Sequence, residues 1–413
     1  MMTRRSALSA ASALALLAVA GTAGPARAAD QIVKIGIDAS LTGGDAQSAL
    51  LVKNGALLAI EQANAKHEVP GVKFEAMVLD DGTATAGQYD PAQGATNARK
   101  MVADRKVVAA IGPQMSGVGK AMAPILSWGD LATITPSSTN PDITDPKFAA
   151  QYRPAGKAIY FRTVTTDNYQ GPYMANFYKE TLHVKSVYVL DDTGAYGEGL
   201  ANAFEKQAEK DGIKVLGHDK LDPKAADYSA VLTKIKQLNP DSIYYGGVMQ
   251  AGVKLVKQAY DILPHSIVKG GGDGLITPEI LTAAGAPANV GWYCTNASPH
   301  VTEDPAAQGW VKEYQAKFHV LPDDYAITAY DGTLVIIDAV KRVKASGKPV
   351  NRDAVRDAIQ TTNLNTLQGP VSFDANGDIK NRIVAVLQVQ HDPKYPAVDM
   401  IHQFKFIGNA PQS

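Results

Sequence analysis

The chain has 413 residues, 45% of them hydrophobic and 20% charged, a balance that supports a folded core and excludes a largely disordered polymer. Lysine and arginine total 40 against 41 acids, for a formal net charge of −1. No basic excess is available to neutralise a phosphate backbone, so nucleic acid is not an expected partner.

Residues 1–28 read as a segment apart: Arg4 and Arg5, the apolar run Ala7 to Ala20, then the small-residue site Ala26-Arg27-Ala28. This is the pattern of a cleavable export signal, with cleavage expected after Ala28, and it directs the chain to the periplasm. The paired arginines leave both the general secretory and the twin-arginine routes open. Removing the segment takes away three arginines and no acids, leaving a formal charge of −4. Cys294 is the single cysteine, so no internal disulfide can form and core packing must supply stability.

Beyond the signal, short β-rich runs alternate with helical patterns. Ile32–Ile37, Phe74–Leu79, Val107–Ile111 and Leu131–Thr135 are almost continuously apolar, as strands of a parallel sheet covered on both faces would be. Leu50, Leu51, Leu57, Leu58, Ile60 and Ala63 form a helical stripe, and Asp90-Pro91 supplies an N-cap and first-turn proline for a helix ending near Ala103. A second series follows Asp167, with strands Ser186–Leu190, Ile213–Leu216, Ser242–Tyr245 and Ile267–Val268. Its helices fall near Tyr173–Glu180, Gly199–Lys210, Asp227–Leu238 and Gly252–Asp261, with Asp227 as N-cap and Asn239-Pro240 as a stop. Helices Pro305–Phe318, Tyr325–Val343 and Arg352–Gln360 come next. The tail returns to strands at Val371–Phe373, Ile383–Val389 and His402–Phe406, with a hairpin turn at Asn376-Gly377-Asp378. The repeated βα alternation predicts two doubly wound α/β lobes.

In open parallel sheets, ligands bind beyond the carboxyl ends of the strands. Gly112-Pro113-Gln114-Met115-Ser116-Gly117 and Pro136-Ser137-Ser138-Thr139-Asn140 follow two first-lobe strands, and both are hydroxyl-bearing turns at helix starts. Each could cap its own helix, and each could instead hold a carboxylate on free backbone amides. In the second lobe, Gly194 to Gly199 and Gly270-Gly271-Gly272-Asp273-Gly274 occupy the corresponding places. Asp273 among glycines is open enough to accept an ammonium group, or it stabilises its own turn. A phosphate loop fails at Val118, where lysine is required, and a nucleophile elbow around Ser116 fails at Gln114 and Val118. The eight histidines form no metal-ligand spacing, so neither a metal nor a cofactor is expected. The acid pairs Asp80-Asp81 and Asp191-Asp192 read as solvated strand-end caps.

Taken in order and spacing, several segments resemble the leucine/isoleucine/valine-binding proteins, the periplasmic receptors of hydrophobic amino acid ABC transporters. They are Ile35-Gly36-Ile37, Ile111-Gly112 with its serine, Thr135 to Pro141, Asp167 with Gln170-Gly171-Pro172, Tyr196-Gly197-Glu198-Gly199, Tyr244 to Gly247, and Gly369-Pro370 to Asn376-Gly377-Asp378. The resemblance implies a type I periplasmic binding protein fold, two doubly wound α/β lobes joined by a three-segment hinge. Lobe one would comprise residues 29–165 and 297–368, and lobe two residues 166–296 and 369–413. It further implies a monomer, not an enzyme, that closes on a free branched-chain or other hydrophobic amino acid and delivers it to an inner-membrane permease.

Carried onto this sequence, the family's α-carboxylate site falls on Ser116 and Thr139, and its ammonium site on the Ser137 carbonyl, Thr139 and Asp273. Tyr196 matches a tyrosine lining the cleft, and Tyr325 an aromatic wall position. Ser48 and Val248 replace aromatic residues of the branched-chain receptors, and Met115 replaces a disulfide cysteine. Those replacements keep open a second ligand class on the same fold, a small amide, urea-like compound or aromatic carboxylate. A secreted hydrolase using Ser116 as nucleophile is the remaining alternative.

Overall fold

The computed structural model describes residues 30–412; the export segment and its cleavage site lie outside the described residues. Among the described residues no helix is long and apolar enough to cross a membrane.

The first lobe is built on strands β1 (Gln31–Ala39), β2 (Val72–Asp80), β3 (Val107–Ile111), β4 (Ala132–Thr135) and β5 (Tyr160–Arg162), all parallel in the order β2-β1-β3-β4-β5. Val33, Ile35, Ile37 and all of β3 are buried, which explains why these runs are apolar rather than alternating. Helices α1 (Ala46–Ala65), α2 (Pro91–Ala103) and α3 (Ser116–Trp128) cross between the strands. Asp90 caps α2 as its sequence predicts, accepting from Ala92 N–H at 2.9 Å with Pro91 in the first turn.

The second lobe carries α4 (Asp167–Glu180), β6 (Ser186–Asp191), α5 (Ala195–Lys210), β7 (Lys214–Lys220), α6 (Ser229–Leu238), β8 (Ser242–Gly246), α7 (Met249–Ile262), β9 (Val268–Gly271) and β10 (Tyr293–Asn296). Helices α8 (Gln308–Phe318), α9 (Asp324–Ala345) and α10 (Arg352–Gln360) then return to the first lobe, where α8 and α9 pack on α1 and α10 packs on β3. The tail strands β11 (Ala385–Val389) and β12 (Phe404–Asn409) join the second sheet antiparallel, giving the order β12-β11-β10-β9-β8-β6-β7.

Two strands, β5 and β10, escape the sequence reading because three or four residues give no period to detect. Helix α6 begins after Tyr228 rather than at Asp227, whose side chain still accepts from Ser229 N–H at 2.9 Å. Asn239 ends that helix in the left-handed conformation, as the Asn-Pro pair predicts. The strand-end acids require a correction: Asp81, Asp191 and Asp192 are buried, not solvated. Each is kept inside by donors, Ser40 Oγ at 2.6 Å on Asp81, Thr193 N–H at 2.7 Å on Asp191, and Gly194 and Val248 N–H at 2.9 and 2.8 Å on Asp192.

The chain passes between the sheets three times, after β5, after β10 and before β11. These passages are tied to one another: Thr165 N–H donates to Ala297 O at 2.8 Å, and Arg162 N–H to Gly377 O at 3.1 Å. The turn at Asn376-Gly377-Asp378 forms as expected, closed by an antiparallel bridge between Phe373 and Ile379, with Gly377 at a φ of 102°.

Candidate functional site

The carboxyl ends of both sheets face each other across a cavity of about 40 Å³. Its wall includes eight of the nine residues singled out from the sequence: Ser48, Met115, Ser116, Ser137, Tyr196, Val248, Asp273 and Tyr325. The ninth, Thr139, is fully buried just behind the wall, in the same turn as Ser137, and its Oγ1 has no hydrogen-bond partner within range.

Two first-lobe turns supply donors. Helix α3 starts at Ser116, and Met115 at its N-cap position offers no side-chain cap, so the first-turn amides remain available at the positive end of the helix. Ser116 Oγ accepts from Ser138 Oγ and from Asn140 N–H, both at 3.2 Å, so its own proton stays free to be given to a ligand. Those partners hold the hydroxyl in place rather than withdrawing its proton. In the neighbouring turn, Ser137 and Ser138 N–H donate to Thr135 Oγ1 at 3.3 and 2.9 Å, and Ser137 Oγ donates to Gln114 O at 3.0 Å.

Arg162, on β5, organises that turn from beneath. Its guanidinium is completely buried and donates to the carbonyls of Ser138 at 2.5 Å and Asn140 at 2.8 Å, and to Asp378 Oδ1 at 2.7 Å. The fork geometry of an arginine is what allows one side chain to bind two carbonyls and a carboxylate at once. Sequence reasoning missed Arg162, because a single arginine in an otherwise apolar run carries no motif.

The second lobe supplies acid. Asp273 is 6% exposed, and both its oxygens accept phenolic protons: Oδ1 from Tyr196 at 2.6 Å, Oδ2 from Tyr325 at 2.7 Å. Gln170 Oε1 accepts from Asp273 N–H at 3.1 Å and from Thr295 Oγ1 at 2.9 Å, which fixes the loop. Burial raises the Asp273 carboxyl above its usual range, and the two tyrosines oppose the rise. Asp167, buried close behind, is raised further by its own burial and by the Asp273 charge. A buried acid pair without a bonded cation is a costly arrangement that a ligand's ammonium would relieve.

Contacts across the cleft hold the lobes together: Asn140 Nδ2 to Ala195 O at 2.7 Å, Gln47 N–H to Glu279 Oε1 at 2.9 Å, and Gln250 Nε2 to Ala86 O at 3.3 Å. The remaining wall is mixed, with Met115, Val248 and Ile276 apolar and Asp45, Gln114 and Thr277 polar. Asp45 was not singled out from the sequence. Among the described residues no cluster of acids, histidines and cysteines has metal-binding geometry.

Comparison with known proteins shows the family of the chain. Residues 32–394 match the family model described as periplasmic binding protein. A Leu/Ile/Val-binding protein homolog from Brucella melitensis is 31% identical over 357 residues, covering 86% of this chain and 91% of the relative. A leucine-, isoleucine-, valine-, threonine- and alanine-binding protein from Pseudomonas aeruginosa is 31% identical over 355 residues, covering 86% and 88%. Among solved structures, a leucine-binding protein from Thermotoga maritima superposes with a TM-score of 0.77 at 26% identity, covering 92% of this chain and 98% of that one. A Streptococcus pneumoniae substrate-binding protein in complex with isoleucine gives 0.76 at 22% identity, covering 92% and 100%.

Proposed function

The chain belongs to the periplasmic binding protein family, and from that premise we propose that it captures a free amino acid by lobe closure and delivers it to an ABC importer. The relatives' names point to the branched-chain or other hydrophobic class, and Met115, Val248 and Ile276 supply an apolar wall for such a side chain. The protein then acts in the periplasm as a monomer, after removal of residues 1–28, and hands its ligand to a permease of the inner membrane.

One observation carries the reading: a single cavity has open helix amides and a free hydroxyl on one lobe, and a buried acid lacking a bonded cation on the other. Ser116 and the amides of its turn take the α-carboxylate, while Asp273, the Ser137 carbonyl and Thr139 take the ammonium. Tyr196 orients the acid from its own lobe and Tyr325 from the opposite one. A ligand bearing both poles contacts both lobes at once, so its affinity for the closed state exceeds that for the open state, and closure follows from that difference.

The test is isothermal titration with the proteinogenic amino acids. Binding of one or more with an affinity that collapses in Asp273→Ala supports capture of a zwitterion. Binding of simple carboxylates or amides in preference to every amino acid would overturn it.

A further inference from the structure

Asp45 occupies the N-cap position of α1, where an aspartate ordinarily bonds the first amides of its own helix, yet its side chain makes no such bond. Glu279, reaching across from the second lobe, takes Gln47 N–H of that first turn instead. The Asp45 carboxylate turns instead to the cavity wall, where the Met249 backbone amide of the second lobe is its donor. Asp45 is 1% exposed, and its Oδ2 has no partner.

Gln114 stands on the same wall. Its Nε2 donates to Ser48 Oγ at 3.0 Å, and Ser48 Oγ donates to Asp45 O at 2.9 Å. Because the one hydroxyl proton of Ser48 is committed to that carbonyl, the Gln114 atom bonded to Ser48 must be the nitrogen. The amide orientation is thereby fixed, and Oε1 is left without a partner. The unmet side-chain atoms on this wall are Asp45 Oδ2 and Gln114 Oε1, and both are acceptors while Asp45 is ionised.

Among the described residues no cation pairs with Asp45, and the charges acting on it come from Glu279, Asp192 and Asp81, all negative. A purely aliphatic occupant would leave every one of these oxygens unmet, whereas a donor group would satisfy them. We propose that this end of the cavity is a third subsite, which takes an N–H donor group, an ammonium or a carboxamide, at the tip of the bound amino acid's side chain. The inference rests on amino-acid capture and alters one part of it: the side chain's stem lies along Met115, Val248 and Ile276, and its tip is polar.

Titration calorimetry with leucine, glutamine and ornithine tests the subsite. Glutamine or ornithine should bind at least tenfold more tightly than leucine. Ornithine leads if Asp45 is ionised in the complex, and glutamine leads if it stays neutral. In Asp45→Asn, the favoured donor ligand should lose at least tenfold while leucine changes less than threefold. Leucine binding as tightly as both donor ligands overturns the proposal, as does a folded Asp45→Asn with wild-type affinities. The wild-type comparison decides by itself should that variant fail to fold. Binding of leucine alone removes only the third subsite; binding of none of the three removes amino-acid capture with it.

Discussion

Tyr325, carried on a helix of the first lobe, donates its hydroxyl to Asp273 of the second at 2.7 Å, so the acid proposed to take the ammonium is also gripped from across the cleft. Replacing Asp273 by alanine removes the only charged partner proposed for the ammonium. A buried charge left without its partner costs about 3–5 kcal/mol. Affinity should fall by more than about a hundredfold, and calorimetry that finds near-normal binding would remove Asp273 from the site. Tyr325→Phe should be milder, about 1.5 kcal/mol and roughly tenfold in affinity, because Tyr196 still donates to the other oxygen.

Glu279 caps helix α1 only when the lobes are together. Loss of a helix cap costs about 1 kcal/mol, so Glu279→Ala should weaken ligand binding roughly fivefold. The change should come mainly through faster release, since it loosens the closed state rather than the encounter. Stopped-flow rates that show an unchanged dissociation and a slowed association would contradict this role.

Arg162 bonds two carbonyls of the Ser137–Asn140 turn and Asp378 of the hairpin near the last passage. Arg162→Met strands a carboxylate and frees the turn, and it should lower unfolding free energy by about 3 kcal/mol as well as weaken ligand binding. Denaturant titration and calorimetry on the same sample check the two effects. A variant with full stability and full affinity would show the turn to be self-supporting.

Acidification should stabilise the unliganded closed protein. Burial, reinforced by the charge of Glu279, pushes Asp45 up to about 7, and burial pushes Asp323 to about 7 and Asp192 to about 6. Each therefore holds a proton in the folded state that the unfolded chain has lost, and the stability associated with it declines as pH rises toward the folded value. His218 is raised by its bond to Asp191 and by Glu205, and His300 is raised by Asp324 and Glu303 against an opposing effect of burial. Their contribution is full below the unfolded histidine value and is lost as pH rises through the raised one, which is the same direction. Asp45 alone contributes about 1 kcal/mol between pH 8 and pH 6. The melting temperature should rise over that interval on lowering the pH; a fall would contradict the argument.

The parallel strands and long helices were legible because burial on two faces leaves unbroken apolar runs, as in Val107–Ile111, and because Asp90-Pro91 and Asn239-Pro240 mark helix ends chemically. Strands Tyr160–Arg162 and Tyr293–Asn296 were not legible, since their placement depends on neighbours already in the sheet. Turns beyond the strand ends led to Ser116, Ser137 and Asp273. Arg162 acts from behind that surface, through carbonyls that no sequence spacing encodes, while Gln170 was named only as part of the family resemblance and its hold on the Asp273 amide was not legible. Asp45 was hidden for a different reason: an aspartate before a helix reads as a cap, and only the arrival of Glu279 from the other lobe shows that the cap is supplied elsewhere.

Three covalent tethers, laced to each other at Thr165–Ala297 and Arg162–Gly377, make the connection between the halves behave as a flexure with one soft direction. A single cord would allow the halves to twist or drift sideways. Three cords joined laterally resist torsion and leave bending as the easy movement, so the two jaws return to the same register on every cycle. A protease nick in any one tether would leave the other two carrying the alignment.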